Sequence, residues 1–272
     1  WWALTGAYLD ALKPNADAQA IAKARASLVH TNGLYSVYTD IILINKSGKV
    51  ISNSGEVDRT GQILTDTWFG EAMSLRCRST YCVSSFEPSP LYAGRSTYVY
   101  CAALFERAPS GPSESECITG EPLGVIALVF DSEPQFEAIL SDANGHSMQS
   151  LAYIIDQQKR IISSNTDKFI NDGILDFELP SSCISLDREV SQSQLVEYQN
   201  QIYALGACAS GSYREYKSKL DLYQNDLICV YLSPLGQPEH AKAQDCPPIL
   251  EHLKLNKQVD KSSCLEIATF KS

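Results

Sequence analysis

The residues with the most chemical promise lie in the first half of the chain, where acidic and aromatic side chains fall close together. Asp66, Trp68 and Phe69 occupy one short stretch, and Tyr98 and Tyr100 alternate along an apolar run, so that a β-strand would turn both to one face. Tyr81, Ser85 and Tyr92 come from the segments between them. Aromatic faces gathered around a carboxylate make a cage for an ammonium group, worth about 0.5–2 kcal/mol per contact. The plainer reading is that these are core and surface aromatics of an ordinary domain. Arg76, Arg78 and Arg95 share the stretch, and any one of them turned inward would favour a dicarboxylate or a short organic acid instead.

Covalent chemistry finds less support. The nearest approach to a nucleophile elbow is Gly206-Ala207-Cys208-Ala209-Ser210-Gly211, which has Cys at the nucleophile position and no glycine two beyond it. It reads as a strand running into a turn. The four histidines, His30, His146, His240 and His252, have no carboxylate at motif spacing. His240, Cys246, His252 and Cys264 match no zinc-finger or ribbon pattern, and no glycine-rich phosphate cradle is present. A secreted disulfide-rich hydrolase is the competing enzymatic class, and it has no nucleophile–base pair to stand on. No cofactor or metal is expected.

Nine cysteines without a CxxC pair point to structural disulfides in an oxidising compartment. The odd count leaves at least one thiol unpaired or shared between chains. Cys101 and Cys117 bracket the loop Ala108-Pro109-Ser110-Gly111-Pro112-Ser113 and are the first expected bridge. Cys246 and Cys264 would clip the C-terminal tail. Cys77 and Cys82 are close enough to bridge a turn, and Cys208 and Cys229 lie on runs that read as neighbouring strands.

A formal net charge of -10 and scattered Lys and Arg argue against a nucleic-acid partner. No run approaches the roughly 18 uninterrupted apolar residues that span a bilayer, and no charged-then-apolar leader is visible. The opening Trp1-Trp2 reads as the start of an excised piece cut beside a membrane segment, where Trp is enriched.

The elements that must position the aromatic set are repeated. Ile41 to Ser52 returns 111 residues later as Ala152 to Ser163, each copy an apolar strand, a polar turn and a second short strand. Two further strand-like runs follow each hairpin, Tyr98 to Leu104 and Val125 to Phe130 in the first copy, Ile202 to Ala207 and Leu227 to Leu232 in the second. A period this long describes a small domain rather than a solenoid. Residues 7–30 carry apolar positions at helical spacing, interrupted at Pro14. The expected division is a helical segment 1–34, a first module 35–148, a second module 149–235 and a cysteine-clipped extension 236–272. A helix from Glu133 to about Ser141 would link the modules.

In their order, these elements resemble the double Cache sensor domain of bacterial methyl-accepting chemotaxis proteins. The resemblance covers about residues 7–235 and rests on the two hairpins, on Thr67-Trp68-Phe69-Gly70-Glu71-Ala72, similar to the family's Trp-Tyr helix, and on Gly124-Val125-Ile126-Ala127-Leu128-Val129-Phe130-Asp131, similar to its Gly-Val strand. It implies an α+β fold of two PAS-like modules with antiparallel sheets on a long N-terminal helix. It further implies an extracytoplasmic (periplasmic) position in an inner-membrane receptor, a homodimer in the intact receptor, and a small-molecule pocket in the first, membrane-distal module. Histidine kinases and cyclases carry similar sensors. Leu265 to Lys271 resembles the opening strand of a CheW-like module.

One departure from the family bears on the ligand. Amino-acid-sensing members have an Arg two residues before the Trp-Tyr pair to grip a carboxylate, and this chain has Asp66 there, with Phe69 in place of the Tyr. The aspartate that holds the ammonium group falls at Val129, with Asp131 two positions later. The expected ligand is therefore a small amine, ahead of an organic acid, held by Asp66, Trp68, Phe69, Tyr81, Ser85, Tyr92, Tyr98, Tyr100 and Asp131.

Overall fold

The computed structural model describes residues 6–76, 80–106, 121–143, 150–181, 192–209 and 227–238. These fall into two compact units, with the boundary between Ser132 and Glu133.

The first unit opens with helices α1 (Gly6–Ala11) and α2 (Ala18–Leu34). Pro14 sits in the break between them, as its missing N–H requires. The Asp17 side chain then caps α2 by accepting a hydrogen bond from the Ala20 N–H at 2.7 Å. The strands are β1 (Tyr38–Asn45), β2 (Val50–Asn53), β3 (Cys82–Val83), β4 (Glu87–Pro88), β5 (Ser96–Thr97), β6 (Val99–Leu104) and β7 (Gly124–Phe130), with helix α3 (Thr67–Ser74) between β2 and β3. Five of them make one antiparallel sheet in the order β2-β1-β7-β6-β3, and β4 and β5 pair separately.

Because side chains alternate along a strand, the central strands bury both faces of this sheet. One face, with Ile41, Leu43, Leu104, Ile126 and Leu128, packs on Tyr8, Leu12, Ala24 and Leu28 of the N-terminal helices. The other, with Ile42, Ile44, Val99, Val125 and Val129, packs beneath α3 and the loop that carries Leu91 and Tyr92.

Helix α4 (Ser132–Ala143) opens the second unit. Its strands are β8 (Leu151–Ile155), β9 (Ile161–Ser164), β10 (Ile170–Asn171), β11 (Ile174–Leu175), β12 (Gln192–Tyr198), β13 (Gln201–Ala209) and β14 (Ile228–Gly236). The five-stranded antiparallel sheet here runs β12-β13-β14-β8-β9, which is the first sheet's order read from the other edge. Counting each sheet's five strands along the chain, both run 2-1-5-4-3. The expected α+β architecture, a pair of modules with five-stranded antiparallel sheets and equivalent hairpins, is therefore the one observed.

The sequence reading passed over strand β12, whose outward Ser193, Gln194, Leu195 and Glu197 give no apolar alternation. Strand β3, two residues long, is below what a pattern can reveal. Among the described residues no helix is long and apolar enough to cross a membrane. The tail beyond residue 238 lies outside the described residues, and with it the Cys246–Cys264 bridge and the CheW-like strand.

Candidate functional site

Trp68 and Phe69 stand on α3, a short helix entered through Asp66 in extended conformation. The Trp68 side chain is pressed onto the sheet at 4% exposure, and the Phe69 ring meets it edge-on at 6.5 Å. Asp66 is half-buried, and its carboxylate does not cap the helix it precedes.

A second wall comes from residues 80–98. Ser89 starts the 3₁₀ turn Pro90–Tyr92 by accepting the Leu91 N–H at 3.2 Å, and Ala93 follows in left-handed conformation. This turn buries Tyr92 and sends its hydroxyl to Asp131 Oδ1 at 2.5 Å, while the Arg95 guanidinium lies 4.0 Å above the Tyr92 ring. Asp131 is anchored through its own N–H, which donates to the Val37 carbonyl at 2.9 Å just before β1.

The structure thus brings Trp68, Phe69, Tyr92 and Asp131 to one side of the first sheet. Tyr100 goes elsewhere: it belongs to the opposite face with the N-terminal helices, its ring meeting Phe130 at 6.2 Å. Alternation explains this, since Val99 and Cys101 of β6 take the α3 side and Tyr100 must take the other. Tyr98 is buried and meets the Phe86 ring at a tilt, with centroids 5.0 Å apart, Tyr81 is half-buried, and Ser85 is exposed. Arg76 donates to the Met73 and Leu75 carbonyls at the end of α3, both at 3.0 Å, which turns its charge onto the helix terminus. Arg78 lies outside the described residues.

Sequence reasoning missed Asp40 and Arg59. Asp40, at 4% exposure on β1, accepts hydrogen bonds from the Ser54 N–H (3.1 Å), the Gly55 N–H (2.7 Å) and Asn53 Nδ2 (3.0 Å), and pairs with Arg59 Nε at 3.3 Å. Arg59 then donates to the Leu91 carbonyl at 3.1 Å, tying the strand to the loop that presents Tyr92. A polar residue inside the Ile-rich first hairpin was the available signal.

Cys101 is directly opposite Cys82 across β6 and β3, and Cys208 is directly opposite Cys229 across β13 and β14. Cys77 and Cys117 lie outside the described residues. Among the described residues no cluster of His, Cys, Asp and Glu has a metal-binding arrangement.

No protein-family model matches the chain, and no curated protein matches its sequence. Solved structures do. The extracellular domain of the putative histidine kinase vpHK1S-Z8 superposes with a TM-score of 0.53 at 12% identity, over 89% of this chain and 84% of that one. The ligand-binding domain of the Campylobacter jejuni chemoreceptor Tlp3, in complex with 4-methylisoleucine, gives 0.52 at 12% identity over 86% and 77%. The sensor domain of the V. cholerae histidine kinase DctB gives 0.50 at 15% identity over 85% of each chain.

This chain has the fold of a double Cache sensor domain. At such identities the likeness is one of fold alone, and the residues lining the site are this chain's own.

Proposed function

We propose that the chain is the extracytoplasmic sensing domain of a transmembrane receptor, binding a small molecule in its first module and signalling by conformational change without catalysis. The observation that carries this reading is the repeated 2-1-5-4-3 sheet, with its first copy packed on helices α1 and α2. A ligand that closes the α3 side bears, through the same sheet, on the helices packed against the other face. Signalling needs only that the ligand prefer one of two arrangements. Receptors of the chemotaxis type are the first reading for the output, and histidine kinases the second, since sensor domains of both superpose on this chain.

The ligand is a small amine. Asp66 stands where amino-acid sensors of this type are expected to carry a carboxylate-gripping Arg, and Asp131 adds a second carboxylate on the side of Trp68, Phe69 and Tyr92. Arg76, spent on the end of α3, does not supply an anion site. Arg95 over Tyr92 favours the second reading, an organic acid held at the same wall. Titration calorimetry with panels of amines and of organic acids separates the two. An amine whose affinity falls about two- to thirtyfold in Asp66→Ala or Trp68→Ala supports the cage, since contacts of this kind are each worth about 0.5–2 kcal/mol. A tight acid, or an amine indifferent to both substitutions, rejects it.

A further inference from the structure

We propose that Cys82 and Cys101 are joined by a disulfide that fastens the edge strand β3 to β6 beneath the site helix α3. The two residues are direct partners in the antiparallel pairing of β3 with β6. Opposed residues in such a pair sit about 4.5–5.5 Å apart at Cα, within the roughly 4.4–6.8 Å that a disulfide spans. Both side chains point to the α3 side, each at 1% exposure, and in this structure they are free thiols that touch one another. Cys82 Sγ also lies 3.7 Å from the Trp68 carbonyl, so the bridge would sit directly under the helix that carries Trp68.

The fold has a need for it. Strand β3 is two residues long and opens the wall that continues through Tyr92, and so short an edge strand has few ladder hydrogen bonds to hold it. A bridge there pins the wall to the central sheet. This pairing takes Cys101 away from Cys117 and Cys82 away from Cys77.

The chemistry is thiol–disulfide exchange with a disulfide-bonded donor of the oxidising compartment. Each thiol gives up a proton and an electron, one S–S bond forms between Cys82 and Cys101, and the donor's S–S bond breaks to leave a dithiol. Burial, reinforced by contact with Cys82 and by the nearby carboxylates of Glu71 and Asp66, holds the Cys101 thiol well above its ordinary value. The folded module therefore exchanges slowly, and the bond, once set during folding, persists.

The source of the oxidant rests on the extracytoplasmic reading, whereas the pairing itself does not. The test is peptide mapping, without reduction, of the full chain purified after export, and of the full chain reduced, unfolded and reoxidised with glutathione disulfide. The expected result in both is a cross-linked peptide pair containing Cys82 and Cys101. A bridge in the reoxidised chain alone supports the pairing and counts against the compartment. Recovery of Cys101 joined to Cys117, or of both thiols alkylated after reoxidation, overturns the proposal. As a second measurement, dithiothreitol should lower the Tm of the exported chain by on the order of 10 °C more than that of the Cys82→Ala/Cys101→Ala variant. Equal shifts would also overturn it.

Discussion

The two hairpins that mark the repeat keep the same backbone bonds and use them for different ends. At a constant offset of 111 residues, the Ser54 N–H donates to the Ile41 carbonyl at 3.0 Å and the Asn165 N–H to the Ala152 carbonyl at 3.1 Å. The Leu64 N–H reaches the Gly48 carbonyl and the Leu175 N–H the Lys159 carbonyl, both at 2.9 Å. Asn45 and Asp156 each accept backbone N–H groups across their turns, closing the hairpins alike. Past Leu64 and Leu175 the correspondence fails in side chains: the same offset sets Phe177 against Asp66 and Leu179 against Trp68. In the second module, Phe169, Phe177, Tyr198 and Tyr203 fill the covered side of the sheet with rings 4.8–6.3 Å apart. The backbone bonds of the two hairpins are shared, and the side chains that cover the two sheets are not.

The comparison breaks most visibly at Asp40, whose counterpart by offset is Leu151. Replacing Asp40 by Ala strands Arg59, and the Ser54 and Gly55 N–H groups lose their acceptor. Breaking a buried pair in this way typically costs about 3–5 kcal/mol. Urea unfolding of Asp40→Ala should show that loss in the first module and leave the second unchanged. A loss below about 1 kcal/mol would mean that the first module needs the ion pair no more than the second does.

Position four of the hairpin turn comes next. Gly48 and Lys159 share a left-handed backbone, at φ 79° and 61°. A Cβ on Gly48 would lie 2.7 Å from the Leu64 carbonyl oxygen and 3.7 Å from the Phe69 ring, so glycine lets the segment leading into α3 sit against the turn. Lys159 instead sends Nζ 3.3 Å to the Phe177 carbonyl, binding the hairpin to the aromatic filling. Gly48→Lys should therefore cost roughly 2–4 kcal/mol, combining backbone strain with a steric clash. Lys159→Gly should cost less than about 1 kcal/mol, since relief of strain offsets the lost bond. Equal costs in thermal melts would show the two turns to be equally covered.

These contrasts mark how far the sequence could be read. The hairpins, the order of the strands and the helix break at Pro14 were legible because apolar alternation and turn residues are local signals. Trp68 and Phe69 on a helix were legible through a family pattern, and the adjacency of the strands that carry Cys208 and Cys229 through the strand order, though not their direct opposition. Tyr100 was placed on the wrong side because the strand's facing could not be fixed without knowing that Val99 and Cys101 turn toward α3. The opposition of Cys82 to Cys101 depends on a two-residue strand pairing over a long loop, a register no local pattern contains. Asp40 was marked only as a polar residue in an apolar strand, and its partner Arg59 was invisible for the same reason, since their meeting is tertiary.

The cysteines offer a smaller, pH-dependent test. In the reduced chain the buried Cys101 thiol resists ionisation, whereas in the unfolded chain it ionises near the ordinary value of about 8.5. Above that pH the unfolded state releases a proton that the folded state keeps, so stability falls as pH rises, by at most about 1.4 kcal/mol per unit for one group. Below it, the contribution is fully present. Cys101→Ala should flatten this part of the profile of the reduced chain between pH 8 and 10, and oxidation of Cys82 with Cys101 should remove it. A Cys101→Ala profile parallel to that of the reduced wild type would place the loss elsewhere.

The smallest expected effect lies where the modules are most alike. Ser54 Oγ accepts the Ile41 N–H at 2.8 Å, and Asn165 Oδ1 accepts the Ala152 N–H at 2.8 Å, so two different side chains do one job at one offset. Their second bonds differ: Ser54 Oγ lies 3.3 Å from Asp40 Oδ1, and Asn165 Nδ2 donates to the Ser150 carbonyl at 3.1 Å. Asn165→Ser keeps an acceptor near the Ala152 N–H and gives up one ordinary hydrogen bond, which should cost about 0.5–1.5 kcal/mol. Ser54→Asn must fit a larger amide beside the packed Asp40 carboxylate, and should cost more than its reciprocal. If the exchange is instead symmetric, the acidic knot around Asp40 leaves room for a longer side chain. The first module would then differ from the second in charge alone and not in how tightly its hairpin is packed.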